Sequence, residues 1–154
     1  MKIGIASDHT CVDLRLQLID ELRELGHEVV DYGPRSKERT DYPIYGAMVG
    51  QAVVDREVDR GIAICGSGVG ISIAANKIHG VRAACVSEQY SAEMSRRHND
   101  ANVLCFGARV VGPGVALALC KVWLVTEYEG GRHARRVDQL TSLDEGDCSF
   151  VPAG

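Results

Sequence analysis

Six consecutive residues, Cys65-Gly66-Ser67-Gly68-Val69-Gly70, combine a thiol, a hydroxyl and three glycines. The apolar run Gly61 to Cys65 before them reads as a buried parallel strand, and the stretch from Val69 has helical composition. A strand that turns into a helix through Gly-x-Gly-x-Gly leaves backbone N–H groups unpaired and pointing one way, which makes a site for an anion. A thiol near a helix N-terminus has a lowered pKa, and its thiolate is the reactive form. The plain alternative is a structural glycine turn beside an inert buried cysteine. The run fits neither a Walker A loop, since no Gly-Lys-Ser/Thr follows, nor the dinucleotide spacing G-x-G-x-x-G.

Three other groups can join that chemistry. Asp8-His9 follows the first strand and offers a carboxylate and an imidazole, though Asp8 also suits a plain N-cap. His98-Asn99 sits in a loop before the fifth strand and brings a titratable ring beside an amide. Gly130-Gly131-Arg132-His133-Ala134-Arg135-Arg136 is the densest basic patch, with Arg132 and Arg136 four apart on one helical face. Two guanidinium groups so placed repel each other unless an anion lies between them, and arginine is the preferred fork for phosphate. Together these groups suit a phosphorylated small molecule, with proton abstraction beside a carbonyl and an oxyanion held by the turn. Phosphotyrosine-type thiol chemistry needs an arginine six after the cysteine, where this chain has Ile71.

The elements that must position these residues alternate. Strands are expected at Lys2–Ala6, Glu28–Tyr32, Gly61–Cys65, Val81–Val86 and Val103–Phe106. Helices are expected at 12–25, 44–55, 69–77, 88–97, 113–126 and 132–143. This is the pattern of a three-layer αβα, Rossmann-like fold with a five-stranded parallel sheet. The 154 residues read as one domain, 1–154, with 144–154 as a frayed tail. Asp8, His9, Cys65 and Ser67 then share the rim at the strands' carboxyl ends, where open α/β sheets bind ligands.

Composition bounds the rest. With 17 basic against 21 acidic side chains, nucleic acid and anionic membrane surfaces are not expected partners, and no run is apolar enough to span a bilayer. Six cysteines without a C-x-x-C pair read as reduced thiols in a cytoplasmic protein, not a disulfide framework or zinc site.

Five motifs in order, Ser7-Asp8-His9, residues 38–43 (ERTDYP), 64–77 (ICGSGVGISIAANK), 97–104 (RHNDANVL) and 129–133 (EGGRH), resemble ribose-5-phosphate isomerase type B. That wider family also includes galactose- and allose-6-phosphate isomerases. The resemblance implies an aldose–ketose isomerase of the pentose phosphate pathway, free of metal and other cofactors, that interconverts ribose 5-phosphate and ribulose 5-phosphate through a cis-enediolate. A six-carbon sugar phosphate and a non-catalytic phosphosugar sensor are the alternatives. By position, Cys65 is implied as the base between C1 and C2 and Ser67 as a proton shuttle. The N–H groups of Gly66, Ser67, Gly68, Val69 and Gly70 are implied to hold the enediolate. His98 is implied as the ring-opening acid, Asp8 as orienting the sugar and Asn99 as contacting the reacting end. His9, Arg132 and Arg136 are implied to bind phosphate, with Arg109 nearby. The resemblance further implies a homodimer or homotetramer with each site built from two chains. Position 67 is serine where many members have threonine, and Ile73-Ala74-Ala75 carries no carboxylate where one branch uses glutamate in place of the cysteine.

Overall fold

Strand β3 (Arg60–Cys65) is buried at all six positions, as its uninterrupted apolar run requires. It lies at the centre of a parallel five-stranded sheet of order β2-β1-β3-β5-β4, with β1 at Lys2–Ser7, β2 at Glu28–Asp31, β4 at Ala83–Cys85 and β5 at Val103–Gly107. The structure, a computed structural model, describes residues 1–152. Helices are α1 (Val12–Glu24), α2 (Tyr42–Val54), α3 (Val69–Ala75), α4 (Gln89–Asn99), α5 (Pro113–Val125) and α6 (Ala134–Asp144), with 3-10 turns at His9–Cys11 and Gly131–His133.

Alternation along β3 feeds two cores. Ile62 and Ile64 join Ile3, Ile5, Leu18, Leu22, Phe106, Leu119 and Trp123 under α1, α4 and α5. Ala63 and Cys65 join Val49, Ala52, Ile71 and Ala75 under α2 and α3. The second core is made of smaller side chains, so its helices lie close: a Cβ on Gly61 would meet Val49 at 2.5 Å. Each buried Leu, Ile or Phe contributes about 1.5–3 kcal/mol of transfer free energy, which holds the sheet rigid beneath the rim. The guanidinium groups of Arg60 and Arg96 lie 5.4 and 5.7 Å from the Trp123 ring centroid. Arg60 also donates to the carbonyls of Trp123 and Leu124, 2.9 Å each, and so ties the end of α5 to the start of β3.

Element boundaries shift for physical reasons. Helix α2 begins at Tyr42, two residues before the expected Ile44, because Pro43 is tolerated in a first turn. Helix α3 stops at Ala75, short of Lys77. Edge strand β4 shrinks from 81–86 to three residues. The N–H groups of Arg82 and Ala83 are taken by the side chains of Asn102 (2.7 Å) and Asn76 (2.8 Å). Helix α4 runs on to Asn99, so His98-Asn99 is its last turn and not a loop; Asp100, left-handed at φ 47°, ends it. Arg132 lies in a 3-10 turn and only Arg136 in α6, so the pair does not share one helical face. After α6, Gly146 turns at φ +83°, and the Asp147 carboxylate accepts from Ser149 N–H at 2.8 Å.

Candidate active site

The chain reverses its winding between β1 and β3, and ligands bind outside the carboxyl ends of such a pair. Ser7 is in register with Ile64, and Asp8 N–H donates to the Ile64 carbonyl at 2.9 Å, so Asp8 and Cys65 emerge side by side. Asp8 is buried. Its Oδ1 accepts from Thr10 N (2.9 Å) and Thr10 Oγ1 (2.6 Å), which makes it the cap of the 3-10 turn. Beneath it, buried Arg15 donates to Ser7 Oγ (2.9 Å) and to the Pro34 carbonyl (2.7 Å) and pairs with Asp31 at 3.0 Å. His9 Nδ1 lies 3.2 Å from both the N–H and the carbonyl of Thr40, which fixes the ring at the rim.

The glycine turn is shaped by close approach. Gly68 has φ +80°, and a Cβ there would lie 2.6 Å from the Phe106 carbonyl carbon; one on Gly107 would lie 2.5 Å from Ser67. The loop after β5 closes over the turn, with Ala108 and Arg109 N–H donating to the Cys65 and Gly66 carbonyls at 3.0 and 3.1 Å. The exposed Arg109 side chain thereby lies against Gly66. Within the turn, Gly68 N–H donates to Cys65 Sγ at 3.1 Å and Val69 N–H to Ser67 Oγ at 3.3 Å. Two of the five expected oxyanion donors are therefore engaged locally. No described protein group accepts from Gly66, Ser67 or Gly70 N–H. Tyr42 roofs this end: a Cβ on Gly70 would meet its ring at 2.7 Å.

Four other thiols are shifted by burial. It pushes the Cys11 and Cys120 thiols up to about 12, Cys105 well above its ordinary range, and the exposed-edge Cys85 upward. None of those four accepts a backbone N–H from a glycine turn, as Cys65 does.

The remaining expected residues lie elsewhere. Helices α4 and α5 run antiparallel to the strands, so they end at the sheet's amino rim. There Asn102, just past α4, accepts from Gly61 N–H at 2.9 Å. His98, Asn99, Arg132 and Arg136 belong to this second rim. The length of β3, about 17 Å at 3.3 Å per residue, separates it from Cys65. His98 stacks on buried His133, ring centroids 4.1 Å apart and planes within 6°. Arg132 Nε donates to His133 Nε2 at 3.2 Å. That bond takes the nitrogen's lone pair, so the 3.7 Å approach of Glu129 to the same atom is not an ion pair. Burial first, then the His98, Arg132 and Arg136 charges, lower the His133 pKa, with Glu129 opposing. His98, Glu129 and His133 hold the donor set of a divalent-cation site. The Arg132 bond to His133 and a 2.8 Å ion pair from Arg97 to Glu129 already occupy two of its members.

Glu129, His133, Tyr42 and Thr40 were not singled out for roles by sequence reasoning. His133 sits inside the basic patch 130–136 that carries Arg132 and Arg136, which was the available signal for it. Thr40 acts through its backbone, which leaves no signal in residue type.

A thiol and free N–H donors at the switch point of a doubly wound sheet, with guanidinium and imidazole groups on the same chain, define an enzyme for small anionic substrates. A family model described as Ribose/Galactose Isomerase matches residues 3–140, and the chain belongs to that family of aldose–ketose isomerases. It is 52% identical over 144 residues to the ribose-5-phosphate isomerase B of Escherichia coli, covering 94% of this chain and 97% of that one. It is 35% identical over 150 residues to a galactose-6-phosphate isomerase subunit of Clostridium acetobutylicum, covering 95% and 87%. Among solved structures, the Clostridium thermocellum ribose-5-phosphate isomerase B superposes with a TM-score of 0.93 at 50% identity, covering 95% and 99%.

Proposed function

We propose that the chain interconverts ribose 5-phosphate and ribulose 5-phosphate, and that each site pairs the Cys65 rim of one copy with the His98 rim of another. The observation that carries this is the separation of the two rims by a full strand length within one chain. A base and a ring-opening acid that far apart cannot serve one five-carbon sugar, whereas a symmetric dimer brings them together twice.

In this reading His98 gives a proton to the ring oxygen of the bound furanose while a water molecule takes the proton of the C1 hydroxyl, and the C1–O4 bond breaks to the open aldehyde. The free Oδ2 of Asp8 holds a sugar hydroxyl, and Asn99 contacts the reacting end. Cys65 as thiolate takes the C2 proton. The electron pair moves onto O1, where Gly66, Ser67 and Gly70 N–H groups receive the charge. Ser67 passes a proton between O1 and O2, and the Cys65 proton returns to C1, giving the ketose. Arg132 and Arg136 of the second copy, with His9 and Arg109 of the first, bind the phosphate. No step calls for a metal or other cofactor.

A six-carbon sugar phosphate is the second reading, favoured by the identity to the galactose-6-phosphate isomerase subunit and by Ser67, whose missing methyl leaves room. Turnover by the purified chain, with ribose 5-phosphate and allose 6-phosphate side by side and a chelator present, decides between them. The proposal expects strong preference for ribose 5-phosphate. Preference for allose 6-phosphate moves the protein to hexose metabolism, and no turnover of either revives a phosphosugar sensor. The six free thiols and the lack of a described helix able to cross a membrane accord with work in the reducing cytoplasm.

A further inference from the structure

Glu129 is held more firmly than a residue in a loop between two helices needs to be. Its backbone N–H donates to the Arg97 carbonyl at 3.0 Å, pinning it to the last turn of α4. Its Oε1 pairs with Arg97 Nε at 2.8 Å. Arg97 is itself anchored by Glu93 at 3.1 Å. This leaves Oε2 turned to the stacked imidazoles, 4.0 Å from His98 Nε2 and 3.7 Å from His133 Nε2. The two rings are not equivalent. His133 Nε2 accepts from Arg132 and so carries no proton there, while no described protein group donates to His98 Nε2. The second Glu129 oxygen therefore faces, across 4.0 Å, a His98 nitrogen that is free to carry a proton toward it.

We propose that Glu129 is a positioning residue for ring opening. Together with the His133 stack, its carboxylate faces His98 Nε2–H and holds the ring in one orientation, so that in the acid form the second proton, on Nδ1, is the one given to the sugar's ring oxygen. The role is confined to that step. Glu129 has no part in enolisation, which belongs to the Cys65 rim. The inference rests on the isomerase reading above.

The two steps can be read apart. Ribulose 5-phosphate carries its phosphate on the only hydroxyl able to close a five-membered ring onto C2, so it is always open-chain and its enolisation needs no ring opening. The test compares wild type, Glu129→Gln and Cys65→Ala in two assays. The first is conversion of ribose 5-phosphate. The second is entry of solvent deuterium at carbon (C1 of ribulose 5-phosphate and C2 of any ribose 5-phosphate formed), starting from ribulose 5-phosphate in D2O. Glu129→Gln is expected to lower kcat/KM for ribose 5-phosphate about tenfold while deuterium entry stays within about twofold of wild type. Equal loss in both assays would show a structural role, and no loss in either would show none; each overturns the proposal. Failure of the underlying reading looks different: wild type turns over no pentose phosphate, or Cys65→Ala keeps its deuterium exchange.

Discussion

The two rims of this sheet are built from opposite materials. The carboxyl rim is made by backbone: a glycine turn of six consecutive residues, shaped by the close approach of Gly68 to Phe106, with Cys65 held by a Gly68 N–H. The amino rim is made by charged and aromatic side chains from two distant segments, 97–98 and 129–136, gathered on Glu129 and the His98–His133 stack. The first can stabilise developing charge because its donors are fixed before substrate arrives. The second can grip and protonate, but only on a substrate brought to it. In the proposed reading neither is a complete site, and the chain separates them by about the length of a strand.

The largest effect that sharpens this contrast comes from the carboxyl rim. Cys65→Ala is expected to lower kcat on ribose 5-phosphate about a thousandfold with unchanged circular dichroism, since the proposed base is lost while Val49, Ala52, Ile71 and Ala75 still fill the core on that face. Near-normal turnover would remove the thiol from the mechanism. On the amino rim, Arg132→Ala should raise KM about ten- to a hundredfold, the worth of one charge-assisted phosphate bond of about 1.5–3 kcal/mol, with kcat nearly unchanged. A fall in kcat at constant KM would break the division of labour between the rims.

The smallest effect is on stability. The His133 pKa is lowered in the fold, chiefly by burial. As pH falls through about 6.5, the unfolded chain takes up a proton at this ring that the folded chain refuses. Its contribution to stability is therefore complete above that pH and is lost on acidification toward the lowered folded value. The urea midpoint of wild type should drop more between pH 7.5 and pH 5.5 than that of His133→Asn. Equal drops would mean the ring titrates normally.

The carboxyl rim was legible because its parts are contiguous. A buried run ending in Cys-Gly-Ser-Gly-Val-Gly states strand, turn and helix at once, and alternation of elements states the parallel sheet. The amino rim was legible as chemistry, through Arg132, Arg136 and His98, but not as a place. Residues 98 and 129 meet only because α4 and α5 both return antiparallel to the strands, a consequence of the parallel connections that residue types do not display. Boundaries escaped where a side chain replaced a backbone partner: Asn76 and Asn102 shorten β4, and Asp100 in a left-handed turn lets α4 reach Asn99. Glu129 escaped because a lone glutamate before two glycines has no signature until its partners are in place.

The central claim is that one site needs two chains, and mixing two inactive variants tests it most directly. Cys65→Ala and His98→Asn, each purified alone, should be nearly inactive. After dissociation and joint reassociation, half the dimers are mixed, and each mixed dimer carries one site free of both lesions. Activity should return to about a quarter of wild type. Persistent inactivity of the mixture, with mixed dimers present by mass spectrometry, would contradict the shared site and return the two rims to separate roles.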